Sequence, residues 1–117
     1  MNTDANNSFK SVSTEEFEKV IAQPEVQLID VRTPEEYIFG HIPEALNMNV
    51  TDESGFFAEQ IQTLDKHRAV AIYCRSGVRS KVAANQMVAI GLEVIELNGG
   101  IFDWLANGKP IVEIEEE

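Results

Sequence analysis

Short apolar runs rich in β-branched residues alternate along the chain with stretches whose apolar residues recur at helical spacing. The apolar runs predict strands at residues 26–31, 45–50, 69–73 and 92–97. The helical spacing predicts helices at residues 14–22, 34–39, 56–64, 80–90 and 101–106. Strands and helices that alternate in this order are typical of an α/β fold with a mainly parallel sheet.

Local signals mark where several of these helices begin and end. Ser13 followed by Glu16 forms a capping box, which predicts a helix start at Thr14. Thr33 followed by Pro34 predicts a second start, because proline is favoured at the first helical position. Gly91 is placed to end the helix at residues 80–90.

The size of the chain sets the domain organisation. We expect one domain at residues 9–112, a flexible N-terminus at residues 1–8 and an acidic tail at residues 113–117, since 117 residues suit a single core. No apolar stretch approaches the length of about 20 residues that spans a membrane. The first residues also lack the basic and apolar regions of a signal peptide, so we expect a cytoplasmic location.

The charge of the chain restricts the classes of partner that it can bind. The formal net charge of −11 argues against nucleic acid or an anionic membrane as a partner, because phosphate contacts need clustered Lys and Arg. Between Asp65 and Glu93, however, there is no acidic residue, although this segment holds five of the nine basic residues. The segment can draw in a small anion, since distant charges are screened beyond about 10 Å. An alternative explanation for the absence of acidic residues is that buried strands and helices carry few of them.

The only cysteine, Cys74, lies in the middle of this basic segment. It ends a predicted strand and begins a loop with Gly77, Arg75 and Arg79 that leads into a predicted helix. Backbone N–H groups and the helix dipole at such a junction favour a thiolate, and two arginines favour it further. The alternative is an unreactive core cysteine. The basic, polar loop favours the reactive interpretation, which a thiol closed off from solvent would contradict.

One cysteine excludes an intrachain disulfide framework, and His41 and His67 form no spaced zinc motif with it, so we expect no metal or other cofactor. His41 follows a glycine at a predicted helix break, where a histidine more often fixes a turn than acts as a base. Glu35 and Glu36 fall in the first turn of a predicted helix, and capping explains them.

The positions of two further groups of side chains indicate supporting or structural roles. Asp30 and Arg32 lie at the carboxyl end of a predicted strand, near the edge where Cys74 lies, and we expect them to support the loop as a charge-assisted pair. Aromatic side chains could line the mouth of a pocket, but their spacing favours the core. This group comprises Phe56, Phe57, Phe102 and Trp104.

Taken in order, four groups of residues resemble the rhodanese family of sulfurtransferases in its small single-domain form, and the resemblance covers nearly the whole chain. The groups are Asp30-Val31-Arg32 with Glu36-Tyr37; Gly40-His41-Ile42-Pro43 with Ala45 and Asn47; the loop Cys74 to Arg79; and Gly99-Gly100 with Trp104 and Gly108-Lys109-Pro110. The resemblance implies a five-stranded, mainly parallel sheet with helices on both faces.

It also implies a reaction through a Cys74 persulfide. The thiolate would take the outer sulfur of an anionic donor such as thiosulfate or a persulfide, and a thiol or cyanide would later remove it. The family's substrate-binding positions fall on Arg75, Ser76, Gly77, Val78, Arg79 and Ser80. The arginine directly after Cys74 favours thiosulfate or a small persulfide over mercaptopyruvate.

Two alternatives from other classes stay open. A phosphatase or arsenate reductase would need its arginine where Ser80 stands, so the loop is one residue short for enclosing a tetrahedral oxyanion. A persulfide carrier that serves a protein donor or acceptor would have the same Cys74 loop, and turnover without the partner would distinguish the enzyme from the carrier.

Overall fold

A computed structural model describes residues 8–114, so most of the predicted flexible N-terminus and acidic tail lies outside the described residues. Its elements in chain order are β1 (Lys10–Val12), α1 (Thr14–Ile21), β2 (Gln27–Asp30), α2 (Pro34–Phe39), β3 (Leu46–Asn47), α3 (Phe56–Gln60), β4 (Val70–Tyr73), α4 (Arg79–Ala89), β5 (Val94–Leu97) and α5 (Gly100–Ala106). The strands form one sheet in the order β1-β5-β4-β2-β3, and every pair is parallel. The predicted parallel α/β fold is confirmed. Among the described residues, no helix has the length and apolar character to cross a membrane.

The predicted starts of α1 and α2 are confirmed. Ser13 Oγ accepts a hydrogen bond of 3.2 Å from the Glu16 N–H. At α2, Thr33 Oγ1 accepts from the Glu36 N–H, and Glu36 Oε1 accepts from the Thr33 N–H at 3.1 Å, which completes a capping box. These bonds join residues three apart, so each can form without help from the rest of the fold.

Other boundaries differ from the predictions. Strand β1 was missed, because three residues carry little periodic signal and pair only with β5. Strand β3 spans two residues instead of six, since it is an edge strand that pairs only with β2. The predicted helix at residues 56–64 is split into α3 and a 3-10 turn, Ile61–Thr63.

Alternate residues of the central strand β4 point to opposite faces of the sheet, and each face has its own core. Val70 and Ile72 belong to the core that contains Phe57, and Ala71 and Tyr73 to the core that contains Trp104. All four residues of β4 are buried, as expected of a strand covered by helices on both sides.

The core prediction holds for Phe57 and Trp104, which are 3% and 2% exposed. It is wrong for Phe56 and Phe102, which are 50% and 62% exposed. Ile101 and Trp104, three positions apart on α5, take its buried face, so Phe102 beside them points outward.

Parallel pairing brings the carboxyl ends of three strands to one edge of the sheet. Cys74 follows β4, Arg32 lies beyond β2, and Asn98 follows β5. Since β4 lies between β2 and β5, Cys74 is at the centre of this edge. Ligands of parallel sheets bind at such a position, where the chain turns from one half of the sheet to the other.

Candidate active site

The loop from Cys74 to Val78 joins β4 to α4 and is anchored by the start of α5. The Ile101 N–H donates to the Cys74 carbonyl at 2.9 Å, and the Phe102 N–H donates to the Arg75 carbonyl at 3.0 Å. The loop backbone is therefore fixed at its beginning by a helix that is remote in sequence.

Two glycines allow this close packing. Gly77 has φ 103°, and a Cβ built there would lie 2.0 Å from the Asn98 carbonyl oxygen. Gly100 has φ 67°, and its Cβ would lie 2.3 Å from the Arg75 carbonyl oxygen. Both positions thus require glycine for their left-handed backbone and for lack of space.

The sulfur of Cys74 faces hydrogen-bond donors of the loop. The Gly77 N–H donates to Sγ at 3.1 Å, and Ser80 Oγ lies 3.4 Å from Sγ. Burial raises the pKa of the thiol, but hydrogen bonding with the Ser80 side chain and with the N–H groups of Ser80, Gly77 and Ser76 outweighs burial and lowers the pKa below its ordinary value. The arrangement favours a thiolate, as the sequence predicts.

The burial of the sulfur contradicts the expectation of a thiol open to solvent. Cys74 has no exposed surface, and Gly77 and Ser80 around it are buried too. In this conformation the thiol is closed off from solvent, and the Gly77 N–H turns inward to Sγ.

The two arginines predicted to bind an anion have different surroundings. Arg79 donates from Nη1 and Nη2 to the two carboxylate oxygens of Glu36, at 2.7 and 2.9 Å. This ion pair and hydrogen bonding raise the Arg79 pKa, and Arg79 also interacts electrostatically with Cys74. Arg75 is exposed at the cavity beside the loop. Glu36 therefore has a second contact besides the cap that the sequence predicts.

Ser80 leads to a buried carboxylate that the sequence reasoning missed. Ser80 Oγ donates to Glu96 Oε2 at 2.5 Å, and Lys81 Nζ donates to the same oxygen at 3.1 Å. Ser11 Oγ donates to Glu96 Oε1 at 2.6 Å. Glu96 is fully buried in β5. The available signal was a single acidic residue inside the otherwise apolar run at residues 94–97.

Asp30 and Arg32 form the predicted charge-assisted pair. Asp30 accepts from Arg32 Nη2 at 2.6 Å and also from its Nε and backbone N–H. Arg32 Nη2 donates in addition to the Gly40 carbonyl at 2.6 Å. Among the described residues, these hydrogen bonds join β2 to the end of α2 and do not reach the Cys74 loop. Whether the pair supports the reaction stays a prediction.

His41 has the turn-fixing position that the sequence favours. Its Nδ1 lies 2.8 Å from the Tyr37 carbonyl, and its ring stacks on the Tyr37 ring with centroids 3.8 Å apart. The backbone of His41 pairs with Val112 in an antiparallel bridge. These contacts explain the residue without a chemical role.

A cavity of about 350 Å³ adjoins the loop at Arg75. Its walls are mostly apolar, and three charged side chains lie at its rim. The lining residues are Arg32, Glu36, Phe39, Gly40, Arg75, Ile101, Phe102, Leu105 and Ile111. A larger cavity of about 550 Å³ near Trp104 has no residue of the Cys74 loop in its walls. Of the two cavities, only the smaller one has a residue of the Cys74 loop in its walls.

Together, the fold and the site define a parallel α/β domain with a cysteine-centred anion loop at the end of its central strand. The family model of the rhodanese-like domain matches residues 13–107. The chain belongs to the rhodanese-like domain family, and the family resemblance in the sequence is confirmed.

Similar proteins agree with this assignment. A protein of Allochromatium vinosum named sulfurtransferase is 37% identical over 103 residues, which cover 86% of this chain and 92% of the relative. A Bacillus subtilis protein provisionally named a sulfurtransferase is 35% identical over 102 residues, which cover 86% of this chain and 95% of the relative. The crystal structure of a rhodanese-related protein from Thermoplasma volcanium is 29% identical, with a TM-score of 0.77 over 89% of this chain and 98% of that one. These likenesses support sulfur transfer in general.

Proposed function

We propose that this protein is a sulfurtransferase that moves a sulfane sulfur from thiosulfate or a persulfide to a thiol or cyanide through a persulfide on Cys74. The observation that carries the proposal is the Cys74 sulfur at the focus of inward-turned N–H groups, which lower its pKa despite burial. A lowered pKa makes the thiol easier to ionise without a separate base, and sulfur chemistry through anions needs such donors.

The reaction has two balanced steps. The Cys74 thiolate attacks the outer sulfur of thiosulfate, a new S–S bond forms, and the old one breaks so that sulfite leaves with the electron pair. In the second step a cyanide ion or thiolate attacks the outer persulfide sulfur, and Cys74 leaves as the thiolate. The N–H groups of Ser76, Gly77 and Ser80 are placed to bind the anionic sulfur in both steps.

Opening of the loop is part of this proposal, because Cys74 has no exposed surface. The closed state is held partly by Lys81, whose Nζ donates to the Gly77 carbonyl at 2.9 Å. Beyond the anchored backbone of Arg75, the side chains of Ser76 and Val78 are exposed, so little side-chain packing opposes displacement of this part of the loop. Binding of an anion to the freed N–H groups would stabilise the open state.

A phosphatase fits these contacts less well. Such an enzyme needs an arginine whose guanidinium holds two oxygens of the substrate, and Arg79 already holds both oxygens of Glu36 in this way. The loop length points in the same direction, since Ser80 occupies the position of the required arginine.

Intact mass spectrometry tests the proposal. After incubation with thiosulfate, the wild type is expected to gain about 32 Da, the mass of one sulfur, and to lose it on addition of cyanide or glutathione. Cys74→Ser serves as the control, because its hydroxyl cannot hold the sulfur at neutral pH. A wild type that gains no mass with any sulfane donor, or a Cys74→Ser variant that gains the same mass, would contradict the proposal.

A persulfide relay to a protein partner is a second candidate, and exposed apolar side chains near the loop favour it. Phe39, Val78 and Phe102 are 80%, 72% and 62% exposed, and Phe39 and Phe102 line the cavity beside Arg75. Exposed aromatic groups around a reactive residue are common at protein contacts. Fast sulfur loss to glutathione or cyanide favours the enzyme, whereas a persulfide that is stable to both and transferred to a protein thiol favours the relay.

A further inference from the structure

The hydroxyl of Ser80 lies between two groups that can each accept a hydrogen bond from it. On one side is the Cys74 sulfur at 3.4 Å, and on the other is Glu96 Oε2 at 2.5 Å. All three residues are fully buried. Water therefore does not substitute for a missing partner in this arrangement.

A serine hydroxyl has one proton and can donate only one such hydrogen bond. In the described state it donates to Glu96, and the Cys74 thiol donates to Ser80 Oγ. A Cys74 thiolate has no proton, so Ser80 can contribute to it only as a donor, in addition to the backbone N–H groups. Donation from Ser80 to the thiolate thus requires the Ser80 proton to turn from the carboxylate to the sulfur.

We infer that Glu96 is a positioning residue that controls the ionisation of Cys74 by competing with the sulfur for the single proton of Ser80. Lys81 makes the exchange possible, because its Nζ stays on Glu96 Oε2 at 3.1 Å when Ser80 turns away. Ser11 Oγ keeps its bond of 2.6 Å to the other carboxylate oxygen. A buried carboxylate that loses a donor then still has two partners.

Each element around the Cys74 sulfur carries further charged groups. Helix α4 contributes Arg79, which is neutralised by Glu36, and Lys81. Asp30, the last residue of β2, and Arg32 form a pair that is neutral overall. Asp103 of α5 lies beside Gly99. Among the described residues, Glu96 is the carboxylate joined through one hydroxyl to the sulfur.

This inference concerns the thiol used in the proposed function but does not depend on sulfur transfer. It predicts that the pKa of Cys74 is higher with the Glu96 carboxylate present than without it. Removal of the Glu96 charge leaves Ser80 free to donate to the thiolate, and the amide of a glutamine can in turn donate to Ser80 Oγ. The thiolate then becomes more stable.

The experiment measures the alkylation rate of Cys74 by iodoacetamide as a function of pH, which requires no sulfur donor. Glu96→Gln is expected to lower the midpoint of this profile by about one pH unit, the size expected from one charge-assisted hydrogen bond. Glu93→Gln removes the same charge from an exposed position nearby and is expected to leave the midpoint unchanged. Ser80→Ala is expected to raise the midpoint more in the Glu96→Gln background than in the wild type.

Three results would overturn the inference. One is an unchanged midpoint in a folded Glu96→Gln variant. Another is an equal shift on Glu96→Gln with and without Ser80, which would show that the charge acts directly on the sulfur. If circular dichroism shows that Glu96→Gln does not fold, the midpoint of the Ser80→Ala variant alone tests the inference. A rise of one pH unit or more in that variant would show that Ser80 already donates fully to the wild-type thiolate, whereas a small rise supports the competition.

Discussion

Arg79 and Glu36 form a two-pronged ion pair between the start of α4 and the start of α2, with Nη1 to Oε1 at 2.7 Å and Nη2 to Oε2 at 2.9 Å. The arginine directly follows the Cys74 loop, and the glutamate belongs to a capping box 43 positions earlier in the chain. The pair therefore joins the loop to an independent part of the fold. It also decides how much positive charge the loop offers to an anion.

The ion pair makes stability depend on pH in a defined direction. The hydrogen bond from Arg79 is the main cause that lowers the Glu36 pKa from 4.5 to about 2. A group whose pKa is lower in the folded state stabilises the fold above its unfolded pKa, and this contribution is lost as the pH falls from about 4.5 towards 2. Glu36→Gln keeps a capping side chain but removes the charge.

At pH 7 we expect Glu36→Gln to lower the free energy of unfolding by about 1–2 kcal/mol, after allowance for the partial exposure of the pair. The difference from the wild type should shrink between pH 5 and pH 3, which urea denaturation at several pH values measures. Glu35→Gln, on an exposed neighbour in the same turn, is the matched control. A difference that stays constant with pH would show that the ionised pair is not its cause.

Gly77→Ala is expected to damage the loop more than an ordinary substitution of a left-handed glycine. Its Cβ would lie 2.0 Å from the Asn98 carbonyl oxygen, so the loop must move. Gly108→Ala is the control, since Gly108 has φ 73° but no atom within 4 Å of its added Cβ. We expect the control to lose about 1 kcal/mol of stability and keep its activity, because only backbone strain is added.

For Gly77→Ala we expect a stability loss above about 2 kcal/mol, or a fall in sulfur transfer of at least about tenfold, because the N–H donors move away from Sγ. Thermal unfolding and assays of sulfur transfer measure the two effects. If both variants behave alike, the contact with Asn98 does not shape the loop.

Asp30→Asn tests whether the buried pair with Arg32 serves the fold. The substitution leaves the Arg32 guanidinium buried without its counter-charge, and Arg32 is only 6% exposed. We expect a loss of about 3 kcal/mol in the free energy of unfolding, measured by urea denaturation. Glu59→Gln on exposed α3 should change it by less than about 0.5 kcal/mol.

Since the hydrogen bonds of the pair reach Gly40 and not the Cys74 loop, we expect the folded Asp30→Asn protein to retain most of its sulfur transfer. Measurement at a temperature where the variant remains folded separates the two roles. A large activity loss in folded protein would instead give Asp30 the supporting role in the site that the sequence suggests.

Arg75→Gln is expected to weaken the use of an anionic donor. Arg75 lies exposed at the rim of the cavity beside the loop, and its charge can attract thiosulfate as the donor approaches. We expect kcat/KM for thiosulfate to fall about fivefold at low salt and less at high salt. With an uncharged thiol acceptor, the second step should be nearly unchanged.

Arg68→Gln removes an equal charge from an exposed position whose Nε donates to the Glu25 carbonyl, away from the cavity. It should not alter kcat/KM for thiosulfate. Equal losses in the two variants would assign the effect to net charge and not to the position of Arg75.

The sequence alone determined features whose cause is local. The caps at Ser13 and Thr33 join residues three apart, so the sequence predicts the starts of α1 and α2. The apolar run before Cys74 and the glycine loop after it predicted a thiol at the end of a buried strand, because strand, turn and helix signals lie within twenty residues.

Tertiary structure alone decided what depends on residues distant in sequence. It placed Glu96 beside Ser80, paired Arg79 with Glu36, packed Gly100 against the loop and buried Cys74. Parallel pairing sets these neighbours, since it joins strands through long crossover connections. A single acidic residue in a strand gives no local sign of which side chain it will meet, whereas a helix cap carries its partner within the same turn.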